Sequence, residues 1–211
     1  MPQDDWSRNS IPVLFREAGL WPWPDGGCPK RGCRRCRPDS VLDVACGLSL
    51  KSKFVEAEVR VGLDLHQPYL EAARKQNPDV SWTPIVGDAT KLRDLFLPNS
   101  FDLVLLLDIV EHVEKERALD MIARAEEIAR VAVVIETPRG LLPQNLDILG
   151  FGQHDLQTHR CGFEKDELES LGYDVLARDY KLAPVRRHTD GPIATECQLL
   201  DAIKRVDGGA A

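Results

Sequence analysis

From Ser40 onward the 211-residue chain alternates short apolar runs with amphipathic stretches, and this alternation constrains the fold more than any other feature. Residues 41–46, 59–64, 80–86, 101–107 and 131–135 read as buried strands. Between them, 50–57 and 68–76 read as short helices, and 109–130 as the clearest helix. In that last segment Val110, Val113, Leu119, Ile122, Ala125 and Ala129 recur at mostly three- and four-residue steps. Strands alternating with helices imply a mostly parallel sheet with helices on both faces. Residues 165–171 form a short helix that Gly172 should stop. Two strands then follow, 173–180 and 197–206, with no helix between them, so one is expected to run antiparallel. The expected fold is a doubly wound, Rossmann-like α/β sheet with an antiparallel final strand. Residues 137–162 carry neither period, and a loop of that length in a compact domain is usually a lid or substrate loop.

Residues 1–39 have a different texture and are read as an N-terminal cap segment, with 40–211 as the main domain. Three of the four tryptophans (Trp6, Trp21, Trp23) lie there, around a helical stretch at 11–19. Charge also divides the chain. Residues 1–37 hold seven basic and four acidic groups, whereas the rest holds twenty and thirty. So acidic a bulk argues against a broad nucleic-acid face, and Lys30, Arg31, Arg34, Arg35 and Arg37 read as a solvated basic linker. No apolar run approaches the roughly 20 residues of a membrane span, and Met1-Pro-Gln-Asp-Asp is acidic where a signal peptide is basic. These features predict a soluble cytoplasmic protein, with no membrane partner and with its six cysteines reduced.

In doubly wound sheets, ligands sit at the carboxyl ends of the strands. Four successive predicted strands end there beside an acid: Asp43, Asp64, Asp88 and Asp108. Asp64 follows Asp43 by 21 residues, the interval at which an acid meets ribose hydroxyls in dinucleotide folds. A nicotinamide-binding domain would share that acid, but the second half of its glycine fingerprint is missing here.

The order of these motifs resembles the class I S-adenosylmethionine-dependent methyltransferases, across about residues 40–206. Val41-Leu-Asp-Val-Ala-Cys-Gly-Leu-Ser is similar to that family's first strand and loop, written Asp-x-Gly-x-Gly-x-Gly. Gly62-Leu-Asp-Leu, Gly87-Asp-Ala, Ser100-Phe-Asp-Leu-Val-Leu-Leu-Leu-Asp and Glu136-Thr-Pro resemble its second to fifth strand ends. Ala45 and Ser49 depart from the pattern, leaving Gly47 as the loop's one glycine.

The resemblance implies S-adenosylmethionine as cofactor and S-adenosylhomocysteine as product. Asp43, Ala45 and Gly47 would hold the methionine end. Asp64 with Leu65 would hold the ribose, Asp88 and Ala89 the adenine, and Asp108 would close the site. Glu111 and His112 would line the acceptor pocket, and His159, in a His-x-x-Gly-Phe stretch of the long loop, could take the acceptor's proton. His154 is read as structural. Trp6, Phe15, Trp21 and Trp23 are read as packing an N-terminal cap, and by the same resemblance such a segment would roof the acceptor. The acceptor is expected to be an oxygen or nitrogen of a small molecule or sugar-like metabolite.

Two other classes compete. Asp108-x-x-Glu111-His112 with a later loop histidine also resembles small-RNA terminal 2′-O-methyltransferases, where a similar set holds a divalent ion. A cofactor-binding module without catalysis is the other. Cys28, Cys33 and Cys36 have nearly the spacing of a zinc site, but no fourth ligand is evident, so zinc is not favoured and no metal is assigned.

Overall fold

A computed structural model describes residues 11–23, 37–78, 82–181 and 196–206. Helix α1 (Ile11–Glu17) precedes strand β1 (Ser40–Val44), and β2 (Val59–Asp64), α2 (Gln67–Gln76) and β3 (Thr83–Val86) follow. The short helix α3 (Leu92–Leu95) leads to β4 (Phe101–Leu107), α4 (Lys115–Ile128) and β5 (Ala129–Pro138). The described chain finishes with α5 (Lys165–Ser170), β6 (Asp174–Lys181) and β7 (Glu196–Arg205).

The seven strands form one sheet in the order β3-β2-β1-β4-β5-β7-β6. All neighbouring pairs from β3 to β5 are parallel, and β7 runs antiparallel to both β5 and β6. The sequence-based fold therefore holds, including the antiparallel final strand. Strand order reverses between β1 and β4, which is where such sheets open a ligand crevice.

The period of two along the central strands builds two cores. Leu42, Val44, Val104 and Leu106 face α4 and α5 through Met121, Ile122, Ala125 and Leu168. Val41, Leu103, Leu105 and Leu107 face the opposite way, onto Ile11, Phe15, Trp21 and Trp23. Phe15 is fully buried, and burying a side chain of that size contributes about 1.5–3 kcal/mol. The N-terminal aromatics thus form a cover for one sheet face, and none of residues 11–23 lines the central cleft. This corrects the expectation for Phe15, Trp21 and Trp23 that they roof the acceptor, and Trp6 lies outside the described residues. Covering that strip of four apolar strand residues removes their side chains from water, which is the favourable term here.

Two further local differences shape the site. The stretch predicted as one helix at 109–130 is broken: a 3-10 turn spans Val110–His112, and α4 starts only at Lys115. The helix predicted at 50–57 is reduced to a 3-10 turn at Ser52–Phe54.

Candidate active site

The carboxyl ends of β1 to β4 open into a cleft of about 790 Å3, within the size range of small-molecule and cofactor sites. Asp43, Ala45 and Gly47 line it from β1 and its loop, Asp64 and Leu65 from β2, and Asp88 and Ala89 from the β3 turn. Asp108, Glu111 and His112 line it beyond β4, and His159 enters from the long loop. Every binding or catalytic candidate read from the sequence faces this one space.

The loop after β1 makes a tight turn against β2. Cys46 N–H donates to Leu63 O at 2.9 Å, Ser49 N–H to Cys46 O at 2.7 Å, and Gly47 N–H to Asp64 Oδ2 at 2.8 Å. Ala45, Gly47 and Ser49 all have left-handed backbone, with φ of 54°, 51° and 52°. The alanine and serine each cost about 1–2 kcal/mol there, so the three bonds hold a turn the side chains oppose. Asp64 Oδ1 accepts from His66 N–H at 2.8 Å. Each carboxylate oxygen thus keeps lone-pair capacity for a ligand.

Asp43 is 6% exposed. Burial pushes its carboxyl up to about 7, with the Ser52 hydroxyl and the Arg60 charge only partly offsetting the shift. An unfolded aspartate titrates near 3.9. Between those values the folded chain keeps a proton that the unfolded chain has lost, so stability falls as pH rises from about 4 to 7. Asp43→Asn, with the same shape and no charge, is expected to raise the unfolding temperature at pH 8 by on the order of 5 °C and by much less at pH 4.5. Scanning calorimetry at the two pH values checks this, and an equal shift at both would refute it. At Asp88 burial opposes ionisation, but hydrogen bonds from the Thr90 N–H at 2.9 Å and hydroxyl at 2.7 Å outweigh it and hold the carboxyl below its ordinary value.

A buried charge network that sequence reasoning did not find lies under the far end of the cleft. The Lys51 ammonium bonds both Asp108 and Glu136, tying the turn after the first loop to the ends of β4 and β5. Arg178 on β6 donates to Glu136 at 2.8 Å and to Asp201 on β7 at 2.5 Å. Glu136 and Asp201 are each 1% exposed, so Lys51 and Arg178 must satisfy charges that water cannot reach. The available signal was a charged residue interrupting or ending an apolar strand run, at Glu136 and Asp201.

Beyond Asp108 the 3-10 turn presents two consecutive polar side chains to the cleft, Glu111 at 2% and His112 at 8% exposure. Glu111 Oε2 accepts from the Thr137 hydroxyl at 3.0 Å. Burial, and secondarily the Asp108 charge, push its carboxyl up to about 8. The long loop is zipped onto this turn. Arg160 N–H donates to Glu111 O at 2.7 Å, and the Arg160 guanidinium donates to His112 O at 2.7 Å. Its two ends cross so closely at Gly162 that an added Cβ would lie 2.2 Å from the Gly140 carbonyl carbon. His159 is thereby set against His112, ring centroids 4.7 Å apart and nearly perpendicular. The His159 Nδ1–H donates to Leu142 O at 2.6 Å, which assigns the lone pair to Nε2. Burial, then the neighbouring His159, lowers His112 to about 4, and burial also lowers His159, so both rings are neutral at pH 7. His154 lines no part of the cleft; its Nδ1 accepts from Asp147 N–H at 3.0 Å. Cys28, Cys33 and Cys36 lie outside the described residues.

Residues 42–129, which run from β1 through α4, match the model of a family described as a methyltransferase domain. The match takes in 88 of the chain's 211 residues. Solved structures agree with the methyltransferase fold across the rest of the chain. A SAM-dependent methyltransferase from Archaeoglobus fulgidus is 18% identical, with 92% of each chain covered and a TM-score of 0.53. Magnesium protoporphyrin IX methyltransferase from Synechocystis PCC 6803, solved with S-adenosylhomocysteine, is 16% identical. That match covers 93% of this chain and 81% of that one, with a TM-score of 0.53. An O-methyltransferase family protein from Burkholderia thailandensis is 16% identical over 82% of this chain and 52% of its own, with a TM-score of 0.54. No curated protein matches the sequence. Among the described residues, no helix is long and apolar enough to cross a membrane.

Proposed function

We propose that this methyltransferase moves the methyl group of S-adenosylmethionine to an oxygen or nitrogen of a small molecule, bound where Glu111, His112 and His159 meet the cleft. The observation that carries this reading is the pair of neutral imidazoles held against each other at one end of an otherwise acidic cleft. In the proposed arrangement Asp43 faces the cofactor's ammonium, Asp64 its ribose hydroxyls, and Asp88 with the Ala89 N–H its adenine. Ala45, Gly47, Leu65 and Asp108 complete the wall. The cofactor's methyl then points toward the histidines.

The acceptor's lone pair attacks the methyl carbon in line with the carbon–sulfur bond. That bond breaks with its electron pair going to sulfur, and the sulfonium becomes the neutral thioether of S-adenosylhomocysteine. The acceptor's proton passes to Nε2 of His159, with the adjoining His112 as the alternative. Alignment in a closed cleft supplies most of the acceleration. The carboxylates around the cleft favour a small acceptor over a polyanion, which supports a metabolite and not RNA as substrate.

A direct test is a screen of small phenols, hydroxy acids, sugars and amines for S-adenosylhomocysteine release, with a short RNA in a parallel arm. Turnover on a small hydroxyl or amine compound supports the reading. Turnover on RNA alone overturns it, as does S-adenosylmethionine binding without turnover on any class.

A further inference from the structure

Proton transfer uses none of the charge network formed by Lys51, Asp108, Glu136, Arg178 and Asp201, yet one end of that network reaches the cleft. The Asp108 side chain is 40% exposed, against 2% for Glu136 and 1% for Asp201. Lys51 bonds its Oδ2, and no described residue bonds its Oδ1. Asp108 also holds a left-handed backbone, with φ of 51°, which its side chain opposes. Two contacts maintain it. Its N–H donates to Glu136 O at 2.8 Å, and the Lys51 ammonium ties its carboxylate to that of Glu136. Strain held by redundant contacts marks a functional position. Burial raises the Asp108 carboxyl, and the Lys51 charge is the largest influence lowering it, with Arg178 assisting and Glu136 opposing. Glu111 adds a further acid on the side of the 3-10 turn. Lys51 therefore keeps Asp108 both ionised and still.

Strand register places this carboxylate. Val44 of β1 pairs with Leu106 of β4, so Asp108, two residues on, stands beside the loop that begins at Ala45. In the arrangement proposed for the cofactor, adenine lies at Asp88 beyond β3 and ribose at Asp64 beyond β2. Sulfur is the next part of that molecule, and β1 and β4 are the next strands of the sheet.

We propose that the Asp108 carboxylate, oriented by Lys51, faces the cofactor's sulfur and favours the cationic sulfonium over the neutral thioether. Asp108 is then the residue that distinguishes S-adenosylmethionine from S-adenosylhomocysteine, and Lys51 is its positioning residue. A carboxylate attracts the sulfonium, and this attraction is lost once the methyl has left and the sulfur is neutral. The pair selects substrate over product and favours their exchange; it does not accelerate the transfer itself. The inference rests on the proposed orientation of the cofactor and is independent of the acceptor's identity.

The test measures, by calorimetry and without acceptor, the affinities of the full chain and its variants for S-adenosylmethionine and S-adenosylhomocysteine. The parent is expected to bind the sulfonium about tenfold more tightly, equivalent to about 1.4 kcal/mol. Asp108→Asn should bring the two affinities to within about twofold of each other. Lys51→Met should do the same, whereas Lys51→Arg, which keeps the charge, should retain most of the parent's preference. A purely structural part for either residue would weaken both ligands by one factor, as expected of Asp64→Ala, and leave their ratio unchanged. An unchanged ratio in Asp108→Asn would overturn the inference, as would equal binding of the two ligands by the parent; both outcomes leave methyl transfer standing. If Lys51→Met does not fold, Asp108→Asn and Lys51→Arg decide the matter. A parent that binds neither ligand would remove the cofactor reading itself, and this inference with it.

Discussion

Replacing His159 by alanine is expected to lower turnover by about 10²–10⁴-fold, the usual contribution of a positioned proton acceptor, with S-adenosylmethionine affinity nearly unchanged. The split follows from placement. His159 lies on the loop that closes over the 3-10 turn, away from the Asp64 and Asp88 ends of the cleft. Its removal also leaves the zipper intact, since Arg160 and Cys161 hold Glu111 O through their own N–H groups. Steady-state rates on the acceptor found by screening, with calorimetric cofactor binding, check both halves. If His159→Ala keeps full turnover while His112→Ala loses it, the proton acceptor belongs to the turn and the loop histidine is structural.

Asp64→Ala acts at the other end, on the cofactor and not on the acceptor. Losing charge-assisted bonds to two ribose hydroxyls should remove about 2–3 kcal/mol, or about 30- to 150-fold in affinity. The structure adds a second consequence. Asp64 also accepts from the N–H groups of Gly47 and His66, so the variant releases a turn already strained at Ala45 and Ser49. A lower unfolding temperature should therefore accompany the weaker binding. Calorimetric titration with S-adenosylhomocysteine measures the first effect and thermal unfolding the second. Unchanged affinity in the folded variant would remove Asp64 from the cofactor site.

The alternation of apolar runs and amphipathic stretches determined the sheet, its layers and the acids at its strand ends. These follow from local periodicity, because a parallel strand buried on both faces must be apolar along its length and its ligand-facing end is the first place a charge fits. Asp43, Asp64, Asp88 and Asp108 were legible for that reason. The pairing of Lys51 with Glu136, and of Arg178 with Asp201, was not. Those partners are 85 and 23 residues apart, and only strand order and register bring them together. Glu111 and His112 were visible as residues but were misplaced in a helix. The turn at Val110–His112 exists because the main chain of Arg160 and Cys161 bonds Glu111 O, a contact between segments some 50 residues apart that no local period encodes. The N-terminal aromatics show the same limit: their sequence marked them as buried, but the exposed odd-numbered face of β1 and β4 decided what they cover. The sequence by itself determined which residues would stand at the carboxyl edge of the sheet. Tertiary structure alone decided which of them meet, because side-chain proximity across strands and loops depends on the register of distant segments and not on the spacing of neighbours.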